Sequence, residues 1–356
     1  MKKLLLSLSL LAALMGFNAC STDVELYADY KDIPIVYGLL DASQDTNYIR
    51  INRAFSGSND HPIDAHQIAL IADSCNYPGK LPACLIEYKL GYGGNYYPTG
   101  DTALLDTLTV HDKDTLGFFY APDQKVYFTD GKTIDGKSLY GNNTVGVKYK
   151  YKLMVLKGND TISAETGLVG GDNFKILTSS FTFSPEQSDK TKKILFTPAD
   201  YAVFYDVKVV FHYHESHKGG PWEDKEVSFS IGPKSIEQLS MDDQVYYVLY
   251  PENILFNLLT EAIGDDIVHN SQHPDVVRYF DEKPIEVFVA AGGDELYNYI
   301  QVNQQSGFSQ TIPDYTNVFG GFGVFSSRIN LEKEAKISSS TAIGLYGKEA
   351  WGFKQQ

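Results

Sequence analysis

The sequence predicts a mostly β protein of two β-sandwich domains of immunoglobulin or fibronectin III type, the second carrying an inserted helix. Three observations predict it. Tyrosine (25) and phenylalanine (20) are abundant, and 30 glycines and 14 prolines break the chain into short runs; that mixture favours strands joined by turns. Several runs alternate apolar and polar residues with a period of two, the mark of a half-buried strand. One segment alone carries a strong helical face.

The first 19 residues have the form of a bacterial export signal. Lys2 and Lys3 form a positive start, Leu4 to Gly16 an apolar stretch, and Phe17, Asn18 and Ala19 lead into Cys20. A signal peptidase requires a small residue before its cut, which Ala19 supplies. A cysteine at the first mature position marks a bacterial lipoprotein, so Cys20 is the expected lipidation site. Phe17 and Asn18 depart from the standard pattern, which has Leu or Val and then a small residue. The apolar stretch is shorter than the ~20 residues of a membrane span. Attachment is therefore expected through acyl chains on Cys20, at ~0.8 kcal/mol per buried CH2, with residues 20–31 as tether.

The N-terminal domain is expected over residues 32–170. Its first strand runs Ile33 to Leu40, followed by a polar turn at Asp41 to Thr46. In the next strand Ile49, Ile51 and Arg53 share one face and Tyr48, Arg50 and Asn52 the other. A long loop from Ser56 to Ala83 follows. Strands resume at Cys84 to Leu90, near Leu105 to Val110, at Val126 to Thr129, at Val145 to Leu156 and near Thr161 to Leu168. Gly170-Gly171-Asp172 reads as the linker.

The C-terminal domain is expected over residues 171–350. Phe181 to Phe183, Lys193 to Phe196, Val203 to Tyr213, Val227 to Ile231 and Ile285 to Ala291 read as strands. From Pro251 to Ile263, Ile254, Leu255, Leu258, Leu259, Ala262 and Ile263 fall on one helical face. Pro251 suits the first turn and Gly264 the position past the end. Asp294 to Gln305 reads as a second helix, with Leu296, Tyr299, Ile300 and Asn303 on one face.

Net charge is −15, and loss of Lys2 and Lys3 with the signal makes it more negative still. So acidic a surface repels phosphate backbones, which argues against nucleic-acid binding. With Cys20 lipidated, Cys75 and Cys84 remain as a pair in an oxidising compartment, flanking the turn-rich Asn76 to Gly79. They predict a disulfide of roughly 2–3 kcal/mol; the alternative is two free thiols.

The stretch Tyr315-Thr316-Asn317-Val318-Phe319-Gly320-Gly321-Phe322-Gly323-Val324-Phe325-Ser326-Ser327-Arg328 resembles the closing motif of a set of Bacteroidetes outer-membrane lipoproteins of unknown function. In those proteins an Asn, a Gly-rich turn and an aromatic-ended strand complete the second domain. The order of a lipidated Cys, a first sandwich and a second sandwich with a helix is similar as well. The resemblance implies an outer-membrane address and no known enzymatic role. Such lipoproteins often accompany TonB-dependent transporters, so a β-barrel transporter is the implied partner. Ser21 is compatible with outer-membrane sorting, and Asp23 and Glu25 faintly match the acidic export signal of surface lipoproteins in that phylum.

Among chemistry-bearing residues, His212 and His214 are the sharpest pair. At i and i+2 on a strand they face one side, a known way to offer two imidazoles to zinc, with Glu215 or His217 as a third ligand. The plainer reading is a strand end with exposed histidines running into Lys218 to Pro221. His214-Glu215-Ser216-His217 is one residue short of the zincin motif, which also requires a helix. Gly320, Gly321 and Gly323 lack the Lys-Ser/Thr of a phosphate loop and read as a turn. Asp242-Asp243 and Asp265-Asp266 lack EF-hand spacing and read as solvated surface. Tyr92, Tyr96 and Tyr97, in the Gly-rich run 91–100, are candidates for stacking on sugars or peptides, or for packing.

No catalytic set and no cofactor follow from these residues. The expected role is non-enzymatic: binding or scaffolding at the outer membrane, as accessory to a transporter. An adhesin or fimbrial subunit is the structural alternative, since some Bacteroidetes fimbrillins are two-sandwich lipoproteins matured after a basic residue that Arg50 or Arg53 could mimic. A zinc hydrolase centred on His212 and His214 is the third.

Overall fold

The structure, a computed structural model, describes residues 32–41, 43–44, 46–54, 75–111, 123–129, 147–264, 276–305 and 315–355. Cys20, the signal and the tether lie outside them, as does Asp265-Asp266.

The chain is mostly β. Its first half forms β1 (Pro34–Asp41), β2 (Asn47–Arg53), β3 (Ala83–Leu90), β4 (Tyr96–Leu104), β5 (Asp106–Val110), β6 (Gln124–Thr129), β7 (Tyr149–Lys157) and β8 (Asp160–Gly167). The second half begins with β9 (Ser180–Phe181), β10 (Thr191–Phe196), β11 (Phe204–His217), β12 (Glu223–Ser230), β13 (Lys234–Ser235), β14 (Ser240–Asp242) and β15 (Val245–Pro251). It continues with helix α1 (Ile254–Ile263), β16 (Val276–Tyr279), β17 (Ile285–Gly292), α2 (Asp294–Gln305), β18 (Phe322–Ile337) and α3 (Ser339–Gly347).

A single large sheet runs β12-β11-β17-β18-β1-β2-β6-β5, with β13 and β16 also paired to β11 and β9 to β18. The β4-β3-β7-β8 sheet packs against its β1-β2-β6 end, enclosing Val36, Ile49, Ile51, Leu85, Tyr127, Leu153 and Ile162. The β10-β15-β14 sheet and α1 pack against the other end, over Val207, Val209, Val287, Ile194, Val248 and Leu259. The period-two pattern explains the sorting. In β2, Ile49 and Ile51 are buried while Tyr48 and Arg50 point outward.

Along the chain, Leu168 belongs to the first core and Val169 to the second. The Gly-Gly stretch that follows is no slack linker, because Gly170 and Asp200 exchange backbone hydrogen bonds of 3.2 and 2.7 Å. The second core also runs past residue 350: Trp351 and Phe353 are buried in it.

The larger departure from expectation is the closing motif. It completes the first sandwich, since Val318 and Phe325 lie in the first core. Residues 322–328 of β18 pair in parallel with 35–41 of β1, whereas 328–335 pair antiparallel with 285–292 of β17. One 16-residue strand thus serves both sandwiches in turn. Asn317 makes the turn that feeds it. Its amide donates to the Phe325 carbonyl (2.7 Å) and its side-chain oxygen accepts from the Phe325 N–H (2.9 Å). Phe319 then bridges to Ser163 on β8, so the turn ties the two facing sheets together. At Gly323 the backbone is left-handed (φ +117), and a Cβ there would lie 1.9 Å from the Val36 carbonyl oxygen. Gly38 leaves room for the Phe325 ring, which a Cβ would approach to 2.7 Å.

α1 begins three residues later than expected. Pro251 ends β15, and Asn253 occupies the cap position; Gly264 closes the helix by donating to the Thr260 carbonyl. Leu255 and Leu259 are buried as the periodicity requires, joined by Phe256, and Ala262 is exposed.

Truncating Phe325 removes a fully buried ring from the seam of the first core. Phe325→Ala is expected to lower the unfolding free energy by about 3–5 kcal/mol, and Gly323→Ala to abolish the β1–β18 register through backbone collision. Urea denaturation of purified protein checks both.

Candidate functional site

His212 and His214 lie on the outer face of β11, as their spacing requires, but they do not converge on a common point. His212 Nε2 meets Glu286 of β17 at 3.1 Å, and its Nδ1 faces Glu226 of β12 at 3.8 Å. His214 Nδ1 pairs with Asp224 of β12 at 2.7 Å and its Nε2 with Asp281 at 3.2 Å, while its ring stacks on Tyr279 at 4.5 Å. Each imidazole is thus held between its own carboxylates. Desolvation, the largest single cause, lowers the His214 pKa, but the hydrogen bonds its protonated ring donates to Asp281 and Asp224, with their negative charge, raise it above the ordinary value.

Glu215 cannot supply the third ligand. It points to the opposite face, where Arg278 donates to it from Nε at 2.6 Å and His217 engages its other oxygen at 2.8 Å. Burial alone would raise the Glu215 pKa, but His217 and Arg278 together bring it below the ordinary value. Arg278 also donates to the Trp351 carbonyl at 2.7 Å, so the buried pair fastens β11 and β16 to the C-terminal turn. No three His, Cys, Asp or Glu residues are grouped to hold a metal ion among the described residues. The zinc reading is corrected accordingly.

The expected disulfide is likewise corrected: Cys75 and Cys84 are free thiols. Asn76 pairs with Asn52 and keeps Cys75 beside β2 in the large sheet. Cys84 sits on β3 between two inward-facing residues, Ala83 and Leu85, and so faces outward from the opposite sheet. Burial raises both thiol pKa values.

The three candidate tyrosines of the Gly-rich run part company. Tyr92 is fully exposed on a 3-10 turn, and Tyr97 lies over Gly91. Tyr96, on β4, hydrogen-bonds the Tyr201 hydroxyl of the second half, with Lys150 over its ring at 4.4 Å. Its role is packing between the sandwiches. Asp242 faces Lys193 at 4.0 Å, and Asp243 lies in a turn with φ +46.

An open cleft of about 310 Å³ lies where α2 crosses the outer face of β1 and β18. Ile33, Ile35, Tyr37, Tyr299, Tyr315 and Phe322 are among its lining residues, with Asn303 on its helical side. Tyr37 and Tyr299 meet edge to face at 6.2 Å. The helix periodicity that put Tyr299 and Asn303 on one face was the available signal; that β1 would stand opposite was not readable. Glu295 fixes the helix start. Its carboxylate accepts from Thr166 of β8 and Ser326 of β18, both at 2.9 Å. Burial raises its pKa, more than those hydrogen bonds lower it.

No protein-family model matches the sequence, and no curated protein does. Among solved structures, the chain is similar to a chimeric titin Z1Z2 functionalized with a KLER exogenous peptide from decorin. That likeness has 9% identity, covers 87% of this chain and 100% of that one, and has a TM-score of 0.16. A score this low carries no argument about fold or function.

Two outcomes follow from this chemistry. A raised carboxyl pKa favours the fold at low pH and loses that contribution as pH rises through the folded value. Glu295→Gln, which keeps an acceptor oxygen, is therefore expected to melt higher than the parent at pH 8, with the advantage vanishing below the ordinary glutamate pKa of about 4.3. Thermal melts across pH check it. For the histidines, NMR titration is expected to place the His214 midpoint above 6.5, and addition of EDTA to leave the melting temperature unchanged.

Proposed function

We propose that the protein is a non-enzymatic, lipid-anchored outer-membrane protein that binds or scaffolds a partner, as accessory to a TonB-dependent transporter. The address rests on the signal-like start ending at Cys20 and on the resemblance carried by residues 315–328. The binding role rests on one observation, the aromatic cleft beside α2. Its described lining residues offer ring faces, aliphatic surface and an amide, which is recognition chemistry. Its place on the shared sheet couples any occupant to both sandwiches, since β18 forms part of its wall and continues into the second.

Crosslinked pull-down of tagged protein from native outer membranes, read by mass spectrometry, tests the reading. A stoichiometric β-barrel transporter is the expected catch. Recovery of self-copies alone, with an N-terminus following Arg50 or Arg53, would replace this reading with the fimbrial one. Cys20→Ala is expected to move the protein from the membrane pellet to the soluble fraction.

A further inference from the structure

The outer face of the β4-β3-β7-β8 sheet changes character along its strands. Towards one end a cross-strand row reads Thr102, Ile86, Lys152 and Glu165, with Lys152 and Glu165 paired at 2.9 Å. Two residues further along each strand, the next row reads Leu104, Cys84, Met154 and Ser163, and Phe319 bridges to Ser163 at its end. Leu156 follows on β7. Apart from Ser163 this second row is apolar; Cys84 and Met154 are half-buried at its centre, while Phe319 is 78% exposed, Leu104 73% and the neighbouring Leu156 46%. Exposed apolar side chains grouped at one end of a face, rather than scattered singly, mark an interaction surface.

The chain itself indicates its occupant. Its first described residue, Asp32, lies at this end, bonded to Lys157 just past Leu156 at 3.2 Å. That pairing also cancels charge beside the patch. From Asp32 back to Cys20 the tether can reach about 40 Å at full extension. The tether to an acyl anchor on Cys20 therefore starts from this end of the first sandwich, and its reach lets that end rest on the bilayer.

We infer that the apolar row Leu104–Cys84–Met154–Phe319, with Leu156, is a membrane-docking face that rests in the interfacial zone of the bilayer carrying the anchor. This rests on the proposed lipidation of Cys20. The occupant is lipid: the row presents aliphatic and aromatic side chains of the kind that settle at the headgroup–acyl boundary, and it carries no basic cluster for anionic headgroups. Docking would fix the orientation of both sandwiches relative to the membrane and hold the charged row away from it.

The test uses the full lipidated protein in vesicles of phosphatidylethanolamine and phosphatidylglycerol with brominated acyl chains. Phe319→Trp and Leu104→Trp each replace an exposed side chain, and Tyr92→Trp is the control; the parent's Trp222 and Trp351 emission is subtracted. Added emission from the two patch variants is expected to shift to the blue and to lose most of its intensity to bromine, while that of Tyr92→Trp stays water-like. Water-like, unquenched emission from vesicles that still float with the protein would overturn the docking face and leave the anchor standing. Protein that fails to float would instead overturn the lipidation of Cys20, and the docking face with it. Quenching absent in vesicles, together with photo-crosslinks from position 319 to a barrel in native membranes, would overturn lipid as the occupant in favour of the transporter.

Discussion

The parallel pairing of β1 with the start of β18 is the constraint on which the rest of the structure depends. Seven residue pairs, Ile35 with Phe322 through Asp41 with Arg328, join the first strand to the last. Without them the large sheet would separate into a β12-β11-β17-β18 part and a β1-β2-β6-β5 part. The pairing also brings Phe325 into the first core and leads β18 on to β17. Two domains that the chain order would separate thus share a strand.

Three polar groups at that junction, Asp41, Ser326 and Ser327, are buried and satisfied, and together they specify its geometry. Asp41 accepts from Arg328 and Asn330 at 3.1 Å, at the point where β18 passes from one partner to the next. Ser327 donates to the Gly167 carbonyl and accepts from the Val169 N–H at 2.8 Å, which fastens β18 to the chain's own crossing between the cores. Ser326 holds Glu295 and accepts from the Leu296 N–H at 3.1 Å, so α2 starts from the same place. A slipped register would strip these partners from the three buried groups, and a buried group left unsatisfied costs about 1–3 kcal/mol. The cleft beside α2 follows from the junction, because its two walls are attached there.

Local pattern was legible in the sequence and long-range pairing was not. Ile49 and Ile51 announced the buried face of β2 through alternation, and Leu255 and Leu259 that of α1. Asp294 to Gln305 was readable as a helix because its apolar residues recur at helical spacing. β4 was missed because Gly91 to Gly100 carries turn residues, while its pairing with β3 is settled by tertiary contact. Residues 315–328 were expected to complete the second sandwich but complete the first, since nothing near Phe325 in sequence reveals that its neighbour is Gly38. The histidine pair was correctly placed on one face; what prevented convergence, the carboxylates on β12 and β17 and the loop at Asp281, comes from segments scattered across some 70 positions. The two thiols show the same limit. Nine residues of separation invited a bridge, but Cys75 precedes Asn76, which pairs with Asn52, while Cys84 faces outward from β3, and both thiols are free.

A shared strand at the far end of the chain has a consequence for how the molecule is made. As residues emerge in order from a ribosome, β1 through β8 become available early, yet the position beside β1 stays vacant until residues 322–328 arrive. Until then β1 offers an open backbone edge and the first core lacks Val318 and Phe325. Contacts of such large sequence separation close late and slowly, so the N-terminal sandwich cannot be finished cotranslationally as an independent unit. That delay makes the unpaired edge of β1 the element most in need of a chaperone's protection.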